Sequence, residues 1–116
     1  MRIAIKPLSV NQCWRGRRFK TKEYKIYEKE LSALIPKFKS PDGELYLKVQ
    51  FGFSSKSSDI DNPLKPFIDI LQKKTLFNDK MIRKLAVSTT YTKKGSEFIR
   101  FKLVSYDREM DENSWL

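Results

Sequence analysis

The clearest signal along the chain is an alternation of apolar and polar positions between Glu44 and Phe53. Leu45, Leu47, Val49, Phe51 and Phe53 fall on one side and Tyr46, Lys48, Gln50 and Gly52 on the other, the period of a strand with one buried face. A shorter alternation, Met1, Ile3 and Ile5 against Arg2, Ala4 and Lys6, predicts a first strand over residues 1–6. Between the two strands the period changes. Tyr24, Tyr27, Leu31, Leu34 and Ile35 recur at helical spacing, which predicts a helix from Lys22 to Ile35, capped by Thr21 and stopped by Pro36. Ser40-Pro41-Asp42-Gly43 has the composition of a turn. A second helix opens at Asn62-Pro63, with Asn62 as its cap and Pro63 at the first helical position. Leu64, Phe67, Ile68 and Leu71 form its apolar face, and Pro66 removes one early backbone hydrogen bond. Ile82 to Thr92 and Glu97 to Ser105 read as two strands, joined as a hairpin by Lys93-Lys94-Gly95-Ser96. Pro7 to Lys20 carries no period and reads as an irregular basic stretch, and Ser54 to Ser58 as a polar loop.

The resulting order, β-α-β-α-β-β, predicts an α+β domain in which two helices pack on a mixed sheet. A chain of 116 residues suits a single domain, placed over residues 1–105, with an acidic tail over residues 106–116. No apolar run approaches the length of a membrane span, and the first residues lack the apolar core of a secretory signal. Cys13 stands alone, which rules out an intrachain disulfide and is compatible with a reducing cytoplasm.

Charge narrows the picture. The formal net charge is +10, and the segment from Ser105 to Leu116 holds four acids and one base. Residues 1–104 therefore carry 23 bases against 10 acids, a balance of +13. Such a body attracts polyanions, nucleic acid first among them, although a solvated basic surface has the same composition. The absence of histidine excludes a Ser-His-Asp triad, a Cys-His pair and a histidine-zinc site. The four glycines are isolated, so there is no Gly-rich phosphate loop and no organic cofactor is expected.

What remains for chemistry is a set of carboxylates beside a lysine. Asp59, Asp61, Asp69 and Asp79 lie close in sequence, with Lys65 four residues after Asp61 and four before Asp69. Taken singly, each has an ordinary structural reading. Asp59 and Asp61 suit a helix N-terminus, Asp69 and Lys65 suit an i, i+4 ion pair, and Asp79 suits a loop. Together they form an acid cluster in a strongly basic chain. Oxygen-only donors of this kind suit Mg²⁺ or Mn²⁺, ions that promote phosphodiester hydrolysis.

The pattern Asp59-x-Asp61-Asn62-x-x-Lys65-x-x-x-Asp69, followed by Leu76-Phe77-Asn78-Asp79, resembles the RusA-type Holliday-junction resolvase (endodeoxyribonuclease) family, common in bacteria and their prophages. Pro7-x-Ser9-x-Asn11 is similar to the family's segment after the first strand. The resemblance implies a RusA-like fold and a homodimer that binds four-way DNA junctions. It implies paired nicks made with Mg²⁺ in recombination and repair, by a cytoplasmic protein of bacterial or phage origin. On that resemblance Asp59, Asp61 and Asp79 are the essential acids and metal ligands, and Lys65 is the essential lysine. Asp69 and Asn62 support them. Arg15, Arg17, Arg18, Lys20, Lys22 and Lys25 would hold phosphates. The pattern departs from the family at Asn78, where a second acid is common. The competing reading is a basic DNA-binding protein that keeps the fold without cleaving.

Overall fold

The alternating strand is the axis of the fold. In the computed structural model, which describes residues 1–17, 19–56 and 59–107, it runs as β4 (Leu45–Phe53), with hydrogen-bonded neighbours on both sides. The other elements are β1 (Arg2–Ile3), β2 (Trp14–Arg15), β3 (Phe19–Lys20), α1 (Lys22–Leu34), α2 (Leu64–Thr75), β5 (Ile82–Tyr91) and β6 (Phe98–Ser105). The main sheet has the order β1-β6-β4-β5. β4 and β5 are parallel, from Leu45 opposite Ile82 to Phe53 opposite Tyr91, and α2 is the crossover that parallel pairing requires. β6 is antiparallel to both β4 and β1. The α+β class, the two helices and the mixed sheet agree with the sequence.

Leu45, Leu47, Val49, Phe51 and Phe53 are all buried, as the alternation demands. Both helices cover that face. α1 presents Tyr24, Tyr27 and Leu31, and α2 presents Phe67, Ile70 and Leu71. Phe67 is fully buried and meets Phe51 and Phe101 edge-on, with centroids at 6.0 and 5.4 Å. Burying such a ring contributes about 2–3 kcal/mol.

Several expectations are corrected. Residues 92–97 do not close a hairpin, because β4 lies between β5 and β6. As the chain leaves β5, the Thr92 amide still donates to Phe53 O at 2.7 Å. It then turns at Gly95, φ 93°, and passes the end of β4. Turn-forming residues specify a reversal of direction and are silent about what lies between the strands. The first strand is only two residues long, because the Ile5 amide bonds back to Ile3 O and bends the chain. The described residues between Pro7 and Lys20 are not without regular structure. They contain a 3₁₀ turn over Val10–Gln12 and the small β2–β3 hairpin. Leu34, expected on the buried face of α1, is half-exposed.

The second helix also starts differently. Asn62 is not its cap: Pro63 holds the cap position and makes no side-chain cap hydrogen bond. The first helical bond runs from the Phe67 amide to Pro63 O. Pro66 therefore sits where helix amides have no intrahelical partner, and it removes no bond. The buried stripe turns toward Ile70, leaving Leu64 and Ile68 half-buried.

Candidate active site

The loop after β4 delivers the first acids. Ser54 Oγ donates to Glu97 Oε2 at 2.6 Å, which ties the end of β4 to the start of β6. Asp59 and Asp61 follow, both exposed, at the entrance to α2. Asn62 Nδ2 lies 3.5 Å from Asp59 Oδ2, at the limit of a hydrogen bond. The backbone of this entrance is better fixed. Asn62 O accepts the Val10 amide at 2.8 Å, and Asp61 O accepts the Leu64 amide at 3.1 Å. Val10 belongs to the 3₁₀ turn that Ser9 caps by accepting the Asn11 amide. The segment Pro7-x-Ser9-x-Asn11 is thus a brace for the loop carrying Asp61, a role no spacing rule foretells.

Lys65 extends along the exposed side of α2 and donates to Asp69 Oδ1 at 2.9 Å. This bond comes first among the influences on Lys65. Partial desolvation opposes it, and the charges of Asp69 and Asp79 add to it; the result holds the ammonium above the ordinary lysine range. Lys65 is accordingly a fixed cation at neutral pH and cannot serve as a base.

Asp79 opens a short 3₁₀ turn, Asp79–Met81, immediately before β5. Asn78, the departure from the family pattern, caps this turn: its Oδ1 accepts the Lys80 amide at 3.0 Å. The turn lies beside the start of β4, whereas Asp59 leaves from its far end. α2 spans the interval, about 18 Å at 1.5 Å per residue. The structure thus joins Lys65 directly to Asp69 and places Lys65 under the charge of Asp79. It does not bring Asp59, Asp61 and Asp79 to one point. Among the described residues no three Asp, Glu, Cys or His side chains gather closely enough to hold a metal ion. The donor chemistry of these carboxylates fits a hard cation.

The basic residues divide into two groups. Arg15 and Arg17 are exposed on the β2–β3 hairpin, and Lys22 and Lys25 are exposed on the first turns of α1. Arg18 lies outside the described residues. Lys20 is engaged within the protein: it bridges Glu28 at 2.9 Å and sits over the Tyr24 ring. Glu28 also takes Lys73 from α2 at 3.4 Å, so one carboxylate links hairpin and both helices.

Sequence reasoning missed the groove beside Asp69. Trp14, Tyr24, Asp69, Gln72, Lys73 and Phe77 line a depression of about 570 Å³. Trp14 stands edge-on to Tyr24, with ring centroids 5.6 Å apart, and remains partly exposed. The available signal was the interleaving of Trp14, Phe19 and Tyr24 with basic residues, a pattern found in single-strand binding.

A family model described as Endodeoxyribonuclease RusA matches residues 6–101. The chain belongs to the RusA endodeoxyribonuclease family. Comparison with curated proteins found no match. The RusA match runs from the Pro7–Asn11 brace through the acids and Lys65 to β6. Membership places the chain among nucleases acting on DNA.

Proposed function

We propose that the protein is a Mg²⁺-dependent endonuclease that resolves Holliday junctions by paired phosphodiester hydrolysis in DNA recombination and repair. The observation that carries this reading is Lys65. Its ammonium is bridged to Asp69 and under the charge of Asp79, in the first turn of the helix whose entrance presents Asp59 and Asp61. Asp59, Asp61 and Asp79 supply the carboxylate oxygens that would hold Mg²⁺, and Mn²⁺ suits the same donors. Such an ion, when bound, activates water and offsets charge on the phosphate.

The chain's own residues do the rest. Lys65, a permanent cation, stabilises the charge that builds on the scissile phosphate. Asp69 positions it, and the Val10–Asn62 bond sets the acid loop against the Pro7–Asn11 segment. Arg15, Arg17, Arg18, Lys22 and Lys25 hold phosphates on either side, with Lys20 contributing through its hold on the hairpin. A homodimer with two equivalent sites matches the paired strands of a four-way junction. Residues 1–105 would form the nuclease domain of a cytoplasmic bacterial or phage protein, with residues 106–116 as an acidic appendage.

A second reading, a DNA-binding protein that keeps the fold without cutting, draws on the separation of the described acids. Incubation of the protein with labelled four-way junctions of several sequences, with and without Mg²⁺, distinguishes the two. Symmetric nicks that require the ion support the first. Tight binding with no nick in any sequence supports the second.

A further inference from the structure

The helices cover one face of the main sheet, and on the opposite face Lys48, Arg100 and Lys102 are exposed among the described residues. The positions of that face can be read from the register. Arg2 pairs with Arg100, Arg100 with Gln50, Lys102 with Lys48, and Lys84 with Tyr46. Arg2, Lys48, Arg100 and Lys102 alternate with buried positions of their strands, and Lys84 takes its face from its pairing with Tyr46, so all five lie away from the helices. That face therefore carries Arg2, Lys48, Lys84, Arg100 and Lys102. No Asp or Glu occupies any of its strand positions, Tyr46 to Gly52, Lys84 to Thr90 and Phe98 to Val104 at every second residue.

Two of the pairs set like charges directly opposite each other, Arg2 with Arg100 and Lys48 with Lys102. Such pairs destabilise a sheet. Among the described residues neither lysine nor either arginine has a carboxylate partner. Arg2 lies 4.0 Å from the centroid of the Phe98 ring, and Arg100 donates to Gln50 Oε1 at 2.8 Å. A shallow depression of about 240 Å³ opens between Lys48, Gln50, Ser88, Arg100 and Lys102. A face that gathers repelling cations and excludes acids is complementary to a row of phosphates.

We infer that this sheet face is a second DNA-binding surface, which holds the phosphate backbone of a duplex arm other than the one at Lys65. The inference rests on the junction-cleaving reading above, because only branched DNA offers separate arms to opposite faces of one domain. The Arg15–Lys25 region and the sheet face then grip different arms, and recognition of the branch follows from their relative orientation.

The test is the double variant Lys48→Gln/Lys102→Gln, measured for four-way junction affinity over a range of salt and for nicking at saturating protein. Affinity should fall about tenfold or more at moderate salt. The slope of log K against log salt should shrink by about 2 per protomer, as expected when two phosphate contacts are lost. The rate of nicking at saturation should stay at the wild-type value, and the melting temperature should hold or rise as the repulsion is relieved. Affinity within twofold of wild type and an unchanged slope, on a wild type that nicks junctions, would overturn the inference and leave the nuclease reading standing. A wild type that neither binds nor nicks junctions would take both down. A changed oligomeric state at an unchanged salt slope would also overturn it, and would make the face a contact between copies.

Discussion

The ammonium of Lys65 lies 2.9 Å from the carboxylate of Asp69, one turn further along the same exposed side of α2. Exposed i, i+4 pairs contribute little to stability, so this one matters chiefly for where it holds the charge. Lys65→Ala should lower nicking by about 10²–10³, the usual cost of removing a group that stabilises transition-state charge. Junction affinity should change little. Asp69→Asn should cost about tenfold in rate, since the lysine stays but loses its anchor. Single-turnover nicking and a parallel binding titration check both. A large loss of affinity in Lys65→Ala would reassign Lys65 to phosphate anchoring.

Asp61 stands at the entrance to α2, exposed to solvent. Asp61→Asn removes a negative charge facing the phosphate and an oxygen donor for a hard cation. Cleavage should vanish while junction binding holds or strengthens. Wild-type turnover by this variant would sink the assignment of the acids.

The turn before β5 depends on Asn78, which accepts the Lys80 amide. Aspartate has the same acceptor in the same place. Asn78→Asp should therefore leave thermal stability unchanged, and Asn78→Ala should cost about 1 kcal/mol, the usual value of a lost cap. Equal melting temperatures for all three proteins would show that the side chain carries no structural load there.

Gly52 faces Phe98 across the sheet, and a Cβ at this position would fall 2.3 Å from the ring. The ring itself is backed by the Arg2 guanidinium, which limits its retreat. Gly52→Ala should destabilise by roughly 1–3 kcal/mol, the range for overpacking. Chemical denaturation with an unchanged slope and an earlier midpoint is the expected result.

Alkaline pH should weaken the fold through two groups. Burial, then the charges of Glu28 and Asp69, push the Cys13 thiol up to about 11. The same causes push the Tyr24 hydroxyl up to about 12. Both groups are neutral when protonated, and the folded state holds these protons more tightly than the unfolded chain. The contribution of these two groups to stability is thus constant below about pH 9 and falls as pH rises from there toward 12. Cys13→Ala should flatten the part of this decline below pH 11. Unfolding free energies measured from pH 7 to 11 check the difference, and Cys13 should resist thiol reagents until the chain unfolds.

Periodicity was a good guide wherever one face of an element is buried. The alternation from Leu45 to Phe53 and the cap at Thr21 appear in the structure as read, because the local pattern and the tertiary contact make the same demand. It was a poor guide where the decision is long-range. Nothing local in Lys93 to Ser96 tells that β4 will lie between β5 and β6. The site was legible as a set of residues and much less as a shape. Lys65 and Asp69 follow from helical spacing, but the bond from Val10 to Asn62 joins residues 52 positions apart. The cationic sheet face was hidden for the same reason: its five bases come from four strands, and only the register unites them.

The segment that carries the acids is also the crossover between the parallel strands β4 and β5. Parallel pairing is a distant contact, and the entropy of closing the intervening chain makes it slow to form. The acid loop and α2 are the connection whose closure brings β5 beside β4. Substitutions at Asp59, Asp61 or Lys65 made to probe chemistry should be read alongside refolding rates. A variant that binds and cuts poorly because it folds late will reveal itself in the time it takes to become native.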